Sequence, residues 1–345
     1  MQIREYVNKY DPQNQFDVLI NSYKQIEYAW NNNINITNFE LKKVNSIILS
    51  GLGGSAISGD LMQNFLKDEL KIPLIVNRNY SLPSFVNEGT LVIVSSYSGN
   101  TEETLSVLNE AINKKIKIIC VTTGGKIGKI AEENHLPVVK LQAGFQPRYA
   151  LGLSFFTLLK ILQNLNFIRD QKLFVEKIVR LWKNKGIEFS RDGNKAADLA
   201  QKITGFVPVI YSAADYTSAV GYRLKCQLNE NSNMHAFHNS FPEMNHNEII
   251  GWETFNENSF NSIVINIIDE QYHAQIKKRF EINNTLLKKK QLDILALQSN
   301  EEDFKIRLMD LIFLCDWITY YASLFRGVDP SEIDNINYLK EYLSK

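Results

Sequence analysis

From residue 44 onward the chain alternates short, almost unbroken apolar runs with longer stretches in which apolar residues recur every three or four positions. The runs Ser46–Ser50, Pro73–Arg78, Thr90–Ser96, Ile116–Thr122 and Pro137–Leu141 have strand length and little polar alternation. A strand covered by helices on both faces loses the in–out alternation of a half-exposed one, so this series predicts a parallel sheet with crossover helices. Residues 150–200 carry no such run. Their spacing (LGLSFFTLLKILQNL, then KLFVEKIVRLW) is helical and reads as connecting helices. Apolar runs resume at Val207–Ala213, Ser262–Asp269 and Leu292–Gln298, which predicts a second α/β unit. The fold class expected is therefore α/β, with two three-layer αβα domains. Their expected bounds are an N-terminal helical segment at 1–40 with a helix or two between Phe16 and Trp30, a first domain at 41–155, connecting helices at 156–200 and a second domain at 201–345.

Setting ILSGLGGSAISGDLMQNFL beside VIYSAADYTSAVGYRLKCQL shows the same order of strand, small-residue turn and amphipathic helix, as an internal duplication would leave. Only the first copy keeps glycines in its turn, so only that turn is built for close backbone approach to a ligand. The length, 345 residues, exceeds what one hydrophobic core usually organises. Thirty-eight basic residues balance thirty-eight acidic ones, which leaves no field to hold a nucleic acid or an anionic membrane. Three scattered cysteines in apolar segments read as free thiols of a reducing compartment. The polar N-terminus lacks a signal-peptide core, and the most apolar late stretch, Leu311–Phe325, falls about one turn short of a membrane span and carries Asp316. The expected location is the cytoplasm.

Strand Ser46–Ser50 runs into Gly51-Leu52-Gly53-Gly54-Ser55-Ala56 and then a helical pattern, an arrangement that points backbone N–H groups at an anion. A dinucleotide would also call for an acidic residue at the end of the next strand, but that strand ends in Asn77 and Arg78. The third strand leads into Ser96-Tyr97-Ser98-Gly99-Asn100-Thr101, where hydroxyls and main-chain donors at a helix start could together satisfy a phosphomonoester. The alternatives are a plain tight turn for the first loop and a capping box, Thr101 to Thr104, for the second.

GLGGSAISGD followed by SSYSGNTEET resembles the phosphosugar-binding signature of the SIS (sugar isomerase) superfamily. QPRYALG (Gln146–Gly152), QLNENS (Gln227–Ser232), FPEMNHNEIIGW (Phe241–Trp252) and the closing GVDPSEIDNINYLKEYL (Gly327–Leu343) are similar to its bifunctional phosphoglucose/phosphomannose isomerase branch. The resemblance implies two SIS domains and a metal-independent isomerase that needs no cofactor. It places the substrate phosphate on Gly54, Ser55, Ser96, Ser98 and Thr101.

Aldose–ketose isomerisation needs a group that opens the sugar ring, a base that moves a proton between C2 and C1, and a positive charge near the enediolate. By resemblance Glu230 is the base, His246 opens the ring and Arg148 stabilises the enediolate, while Lys340 contacts the substrate. From the residues alone, Glu230 lies just past a predicted helix, where Asn229 and Asn231 could hold its carboxylate. A solvated surface residue is the competing reading for Lys340, and an ion pair for Arg148. One departure is visible: family members often carry lysine shortly after the Asn-Glu-Asn triplet, at the place of Asn233. His235, His238, Glu243 and His246 fall close enough together to suggest a metal site, but lack the i, i+4 pair that aims two imidazoles at one ion.

The expected activity is interconversion of glucose 6-phosphate, and of mannose 6-phosphate, with fructose 6-phosphate through a shared cis-enediolate. The other readings are a non-catalytic sugar-phosphate sensor and an isomerase of another phosphosugar. The expected partners are the phosphosugar and a second copy of the chain, with no nucleic acid and no membrane. By resemblance, His246 reaches into the other subunit's site.

Overall fold

The computed structural model describes residues 2–34, 36, 44–253, 255 and 261–343. In chain order the first elements are α1 (Ile3–Tyr10), α2 (Gln15–Ile20), α3 (Ser22–Asn31), β1 (Ser46–Ser50), α4 (Gly53–Phe65), β2 (Leu74–Asn77) and β3 (Thr90–Ser95). They continue with α5 (Glu102–Asn113), β4 (Lys117–Thr122), α6 (Gly125–Glu133), β5 (Val138–Lys140), a 3₁₀ turn at Pro147–Tyr149 and α7 (Leu151–Asn164). The second half holds α8 (Lys172–Phe189), α9 (Lys195–Ile203), β6 (Val207–Ala213), α10 (Ser218–Ser232), β7 (Phe237–Phe241) and a 3₁₀ turn at Glu243–His246. Last come α11 (Glu248–Gly251), β8 (Ser262–Ile268), α12 (Ala274–Lys289), β9 (Asp293–Gln298), α13 (Phe304–Arg326) and α14 (Asp334–Leu343). The chain forms two compact units, Ser22–Arg180 and Met1–Asn21 with Leu181–Lys345, and the division falls inside α8. The boundary expected at residues 40 and 41 lies outside the described residues.

In the unit Ser22–Arg180 five parallel strands run in the order β2-β1-β3-β4-β5. Ile48 of β1 stands opposite Ile75 on one side and Val92 on the other, and all five residues of β1 are buried. That double burial is why the run SIILS has no polar alternation. One core layer gathers Ile48, Val92, Val94, Val107, Leu108, Ile118 and Ile127. The chain leaves β1 for β2 on one side and returns to β3 on the other. The carboxyl ends of β1 and β3 therefore flank a topological switch point, where the diverging loops leave a crevice.

The other unit has four parallel strands in the order β7-β6-β8-β9, which repeats β2-β1-β3-β4. This shared order supports the internal duplication. The apolar-run criterion does not predict β7, because its side chains His238, Asn239 and Ser240 are polar. They are satisfied by hydrogen bonds to Ser212, Glu248 and, for the Ser240 hydroxyl, again Ser212. Helix α13 is longer than the stretch Leu311–Phe325 and long enough to cross a membrane, yet its most apolar window is 89% buried, as in a core helix. Trp182 stacks on Phe313 with centroids 4.7 Å apart and donates from Nε1 to the Met309 carbonyl. Asp11 accepts from the Gln15 and Phe16 N–H groups at the start of α2 and from the Tyr320 hydroxyl, which ties the first helices to α13. All three cysteines are free; Cys120 and Cys315 are buried and Cys226 is half-buried.

Candidate functional site

Helix α4 begins at Gly53, whose φ of +50° is a left-handed conformation suited to glycine, and no side chain caps it at Leu52. Gly54 is required by contact: a Cβ there would stand 2.8 Å from the Pro147 carbonyl oxygen. The absent side chain lets the turn Pro147–Tyr149 pack onto the start of α4, which sets the buried Arg148 beside the glycine loop. Gln25 holds the same turn by donating to the Tyr149 carbonyl at 2.8 Å. Ser55 is buried in the first turn of α4.

The loop after β3 is ordered by its own hydroxyls. Ser96 Oγ and Thr101 Oγ1 are 2.8 Å apart, the Gly99 N–H donates to Ser96 Oγ, and the Asn100 N–H donates to Ser98 Oγ at 3.3 Å. Thr101 occupies the N-cap position of α5 but accepts no helix N–H, and Thr104 donates back to the Thr101 carbonyl. The capping box from Thr101 to Thr104, the alternative reading of this loop, is therefore not formed, because the Thr101 hydroxyl is turned toward Ser96. Ser96, Ser98 and Thr101 share one turn, and Gly54 and Ser55 belong to the loop of the adjacent strand.

A third loop, Thr122-Thr123-Gly124-Gly125 after β4, escaped the sequence reading. Thr123 Oγ1 donates to the Tyr97 carbonyl, the Lys126 N–H to Asn100 Oδ1 and the Ile127 N–H to the Gly99 carbonyl. Tyr97 in turn donates from its hydroxyl to the Gln142 carbonyl and accepts from the Phe145 N–H, in the segment leading to Arg148. The available signal was a third small-residue turn between an apolar run and a helix.

The matching crevice of the duplicated unit is filled by its own side chains. Tyr272 bonds Thr217 Oγ1 across the ends of β6 and β8 and donates to the Ile267 carbonyl, and both residues are buried. Next to it Arg307 forms a bidentate pair with Asp269 at 2.7 and 3.1 Å.

Glu230 lies inside the last turn of α10 rather than just past the helix as expected, because the helix runs on to Ser232 and stops at Asn233. Asn233 takes a left-handed conformation with φ +49°, a helix ending that asparagine tolerates better than lysine. The neighbouring amides do not hold Glu230 as expected: Asn229 Nδ2 donates to the Met234 carbonyl and Asn231 Nδ2 to Thr319 Oγ1. They fix the helix instead. Arg223, Gln227 and Asn231 form one i, i+4 stripe against α13, where Arg223 makes a buried bidentate pair with Asp316. Burial pushes the Asp316 carboxyl up, and the Arg223 charge opposes this. With that stripe seated, Glu230 lines a cavity of about 610 Å³ together with Asn229, Asn233, His235 and residues Glu332–Ile336 before and at the start of α14.

His246 ends the 3₁₀ turn after β7 and is exposed. Its loop is fastened on both sides of it. Arg279 of α12 donates to Asn245 Oδ1 at 3.0 Å, and Glu248 accepts from Tyr211 and Asn239 at 2.7 Å each. His238 bonds Ser212, and no group of three or more His, Cys, Asp or Glu side chains among the described residues is arranged to hold a metal ion. Lys340 lies on α14, a helix with no buried residue, and is not among those lining the Glu230 cavity.

Residues 40–141 match the SIS domain family, and residues 192–343 match the bacterial phospho-glucose isomerase C-terminal SIS domain. A bifunctional phosphoglucose/phosphomannose isomerase of Caldicellulosiruptor bescii is 36% identical over 335 residues, 96% of this chain and 99% of the relative. The chain belongs to the bifunctional phosphoglucose/phosphomannose isomerase family. A second member of the family, from Aquifex aeolicus, is 34% identical over 89% of this chain and 92% of its own. Among solved structures, a hypothetical protein of Thermus thermophilus superposes with a TM-score of 0.74 over 99% of this chain and 92% of its own. At 12% identity that likeness concerns the fold alone.

Proposed function

We propose that the protein interconverts glucose 6-phosphate and mannose 6-phosphate with fructose 6-phosphate through a common cis-enediolate. The observation that carries this reading is the switch-point crevice of the first unit. Its polar surface consists of interlocked hydroxyls and a glycine-opened helix start, with one buried arginine packed beside it. Such a surface suits a compact phosphomonoester, and β2 ends at Asn77, followed by Arg78, rather than in the acidic residue that a nucleotide ribose calls for.

In this reading Gly54, Ser55, Ser96, Ser98 and Thr101 grip the phosphate in ground and transition states alike. His246 gives a proton to the ring oxygen and takes one from the anomeric hydroxyl, which frees the open-chain sugar. Glu230 removes the proton from C2 and returns it to C1 while the hydroxyl proton passes from O2 to O1, and the Arg148 guanidinium stabilises the enediolate oxygens between the two carbon transfers. Once C2 is planar, reprotonation on either face yields the two epimeric aldoses, so one base serves both substrates provided that the enediolate turns about C2–C3 and the pocket tolerates either C2 hydroxyl. Lys340 contributes a substrate contact. A homodimer completes the site, with His246 serving the other subunit's substrate. The apolar residues that α14 exposes, including Ile336, Leu339 and Leu343, support such an assembly.

The test is a coupled assay with each 6-phosphate, in the presence and absence of a chelator. Turnover of both aldoses at a chelator-independent rate is expected. Binding without turnover would instead establish a sensor, and inactivation by chelator with rescue by zinc would overturn the proposed division of labour.

A further inference from the structure

The NHNE segment contains a second group whose chemistry the reaction scheme leaves unused. Both carboxylate oxygens of Glu248 are engaged, Oε1 by the Tyr211 hydroxyl and Oε2 by Asn239 Nδ2, each at 2.7 Å. Tyr211 and Asn239 are direct register partners across β6 and β7, so one carboxylate bridges two neighbouring strands on the same face of the sheet. Trp252 Nε1 donates to the Tyr211 hydroxyl at 2.8 Å and orients it toward Glu248. Burial and the Glu248 charge push the Tyr211 phenol up, which keeps it a proton donor at working pH. Hydrogen bonds to an ionised acceptor are short and about twice as strong as neutral ones, so they hold direction as well as distance. His246, by contrast, has no hydrogen bond to its ring among the described residues and stands exposed on the loop. Its place is set by the backbone, and that backbone is tied down two residues later by Glu248.

We propose that Glu248 is a positioning residue for His246, clamping the His246 loop to the paired strands β6 and β7 so that the imidazole meets the sugar ring. The proposal rests on the reading of His246 as the ring-opening group. It also explains why polar β7 is kept at the sheet edge: Asn239 supplies half of the clamp.

Glu248→Gln keeps an acceptor for Tyr211 but presents an amide N–H₂ to the Asn239 amide, so one bond becomes a clash of donors. The expected result is a fall in kcat of roughly 30- to 100-fold, the usual effect of a displacement near 1 Å. KM should stay within about twofold, because the phosphate-gripping hydroxyls lie on other strands. In a His246→Ala background the same change should alter the residual rate by less than about twofold, since a positioning residue has nothing left to position. Asn239→Asp combined with Glu248→Gln reverses donor and acceptor and restores the bond, and it should recover kcat to within about threefold of wild type. An equal loss in both backgrounds, or a Glu248→Gln kcat within about twofold of wild type, overturns the proposal while leaving the role of His246 intact. A His246→Ala enzyme within about tenfold of wild type overturns the ring-opening reading itself, before Glu248 is touched. Should Glu248→Gln fail to fold, the reversed pair and Tyr211→Phe carry the same comparison: the pair active and Tyr211→Phe impaired supports the clamp, and the opposite order refutes it.

Discussion

Acidification should loosen the edge of the second sheet through His238. Its Nε2 is 2.7 Å from Ser212 Oγ, which also shares a hydrogen bond with Ser240, and the ring packs against Gly221 of α10, where a Cβ would stand 2.5 Å from Nε2. Burial, with a smaller contribution from the Lys225 charge, brings the imidazole down to about 4. In the unfolded chain it titrates near about 6.5. The unfolded state then binds the proton first. Stability is complete above that value and is lost as the pH falls from 6.5 toward 4. At about 1.36 kcal/mol per unit, the loss from this group amounts to about 2 kcal/mol at pH 5 and about 3 kcal/mol at pH 4. His238→Gln retains a partner for Ser212 without a titrating group, so it should be less stable at neutral pH yet lose less on acidification. Urea unfolding followed by circular dichroism at several pH values reads the difference in slope. Parallel pH profiles for wild type and variant, or an NMR titration of the His238 ring near 6.5, would refute the argument.

Glu230→Gln should abolish isomerisation with little change in substrate affinity, because the amide keeps the shape and cannot accept the C2 proton; activity within about tenfold of wild type would move the base elsewhere. Combined Ser96→Ala and Ser98→Ala should chiefly raise KM, and an unchanged KM with undiminished competition by inorganic phosphate would reject that site. Gly54→Ala forces a Cβ against the Pro147 carbonyl. It should cost about 1–3 kcal/mol in thermal or urea unfolding and lower kcat by displacing Arg148; a stable variant with full kcat would show that the turn moves freely. Mixing Glu230→Gln with His246→Ala chains should restore about a quarter of wild-type activity if the sites are shared between subunits, as C₂ symmetry dictates; no recovery despite proven subunit exchange would keep both residues in one chain's site.

The amino-acid sequence by itself determined the strands and their class, because a strand covered on both faces must be apolar throughout: β1, β3, β4, β6 and β8 stand where the apolar runs predict them. It also marked the turn before α4 as one that needs glycine, since a left-handed Gly53 and a Cβ-free Gly54 are visible as residue types. What depends on strand order was not legible. That Arg148 packs on Gly54, and that Thr123 and Tyr97 lock the loop after β3 to the Arg148 segment, follow from contacts between residues far apart in the chain. Strand β7 was hidden for the same reason: its polar side chains look like a loop until Ser212 and Glu248 are placed opposite them. The end of α10 was missed because Asn233 stops the helix by its backbone conformation, a choice settled by the packing of α10 on α13. Burial shapes composition locally and can be read from sequence, whereas hydrogen-bond partners are selected by the fold.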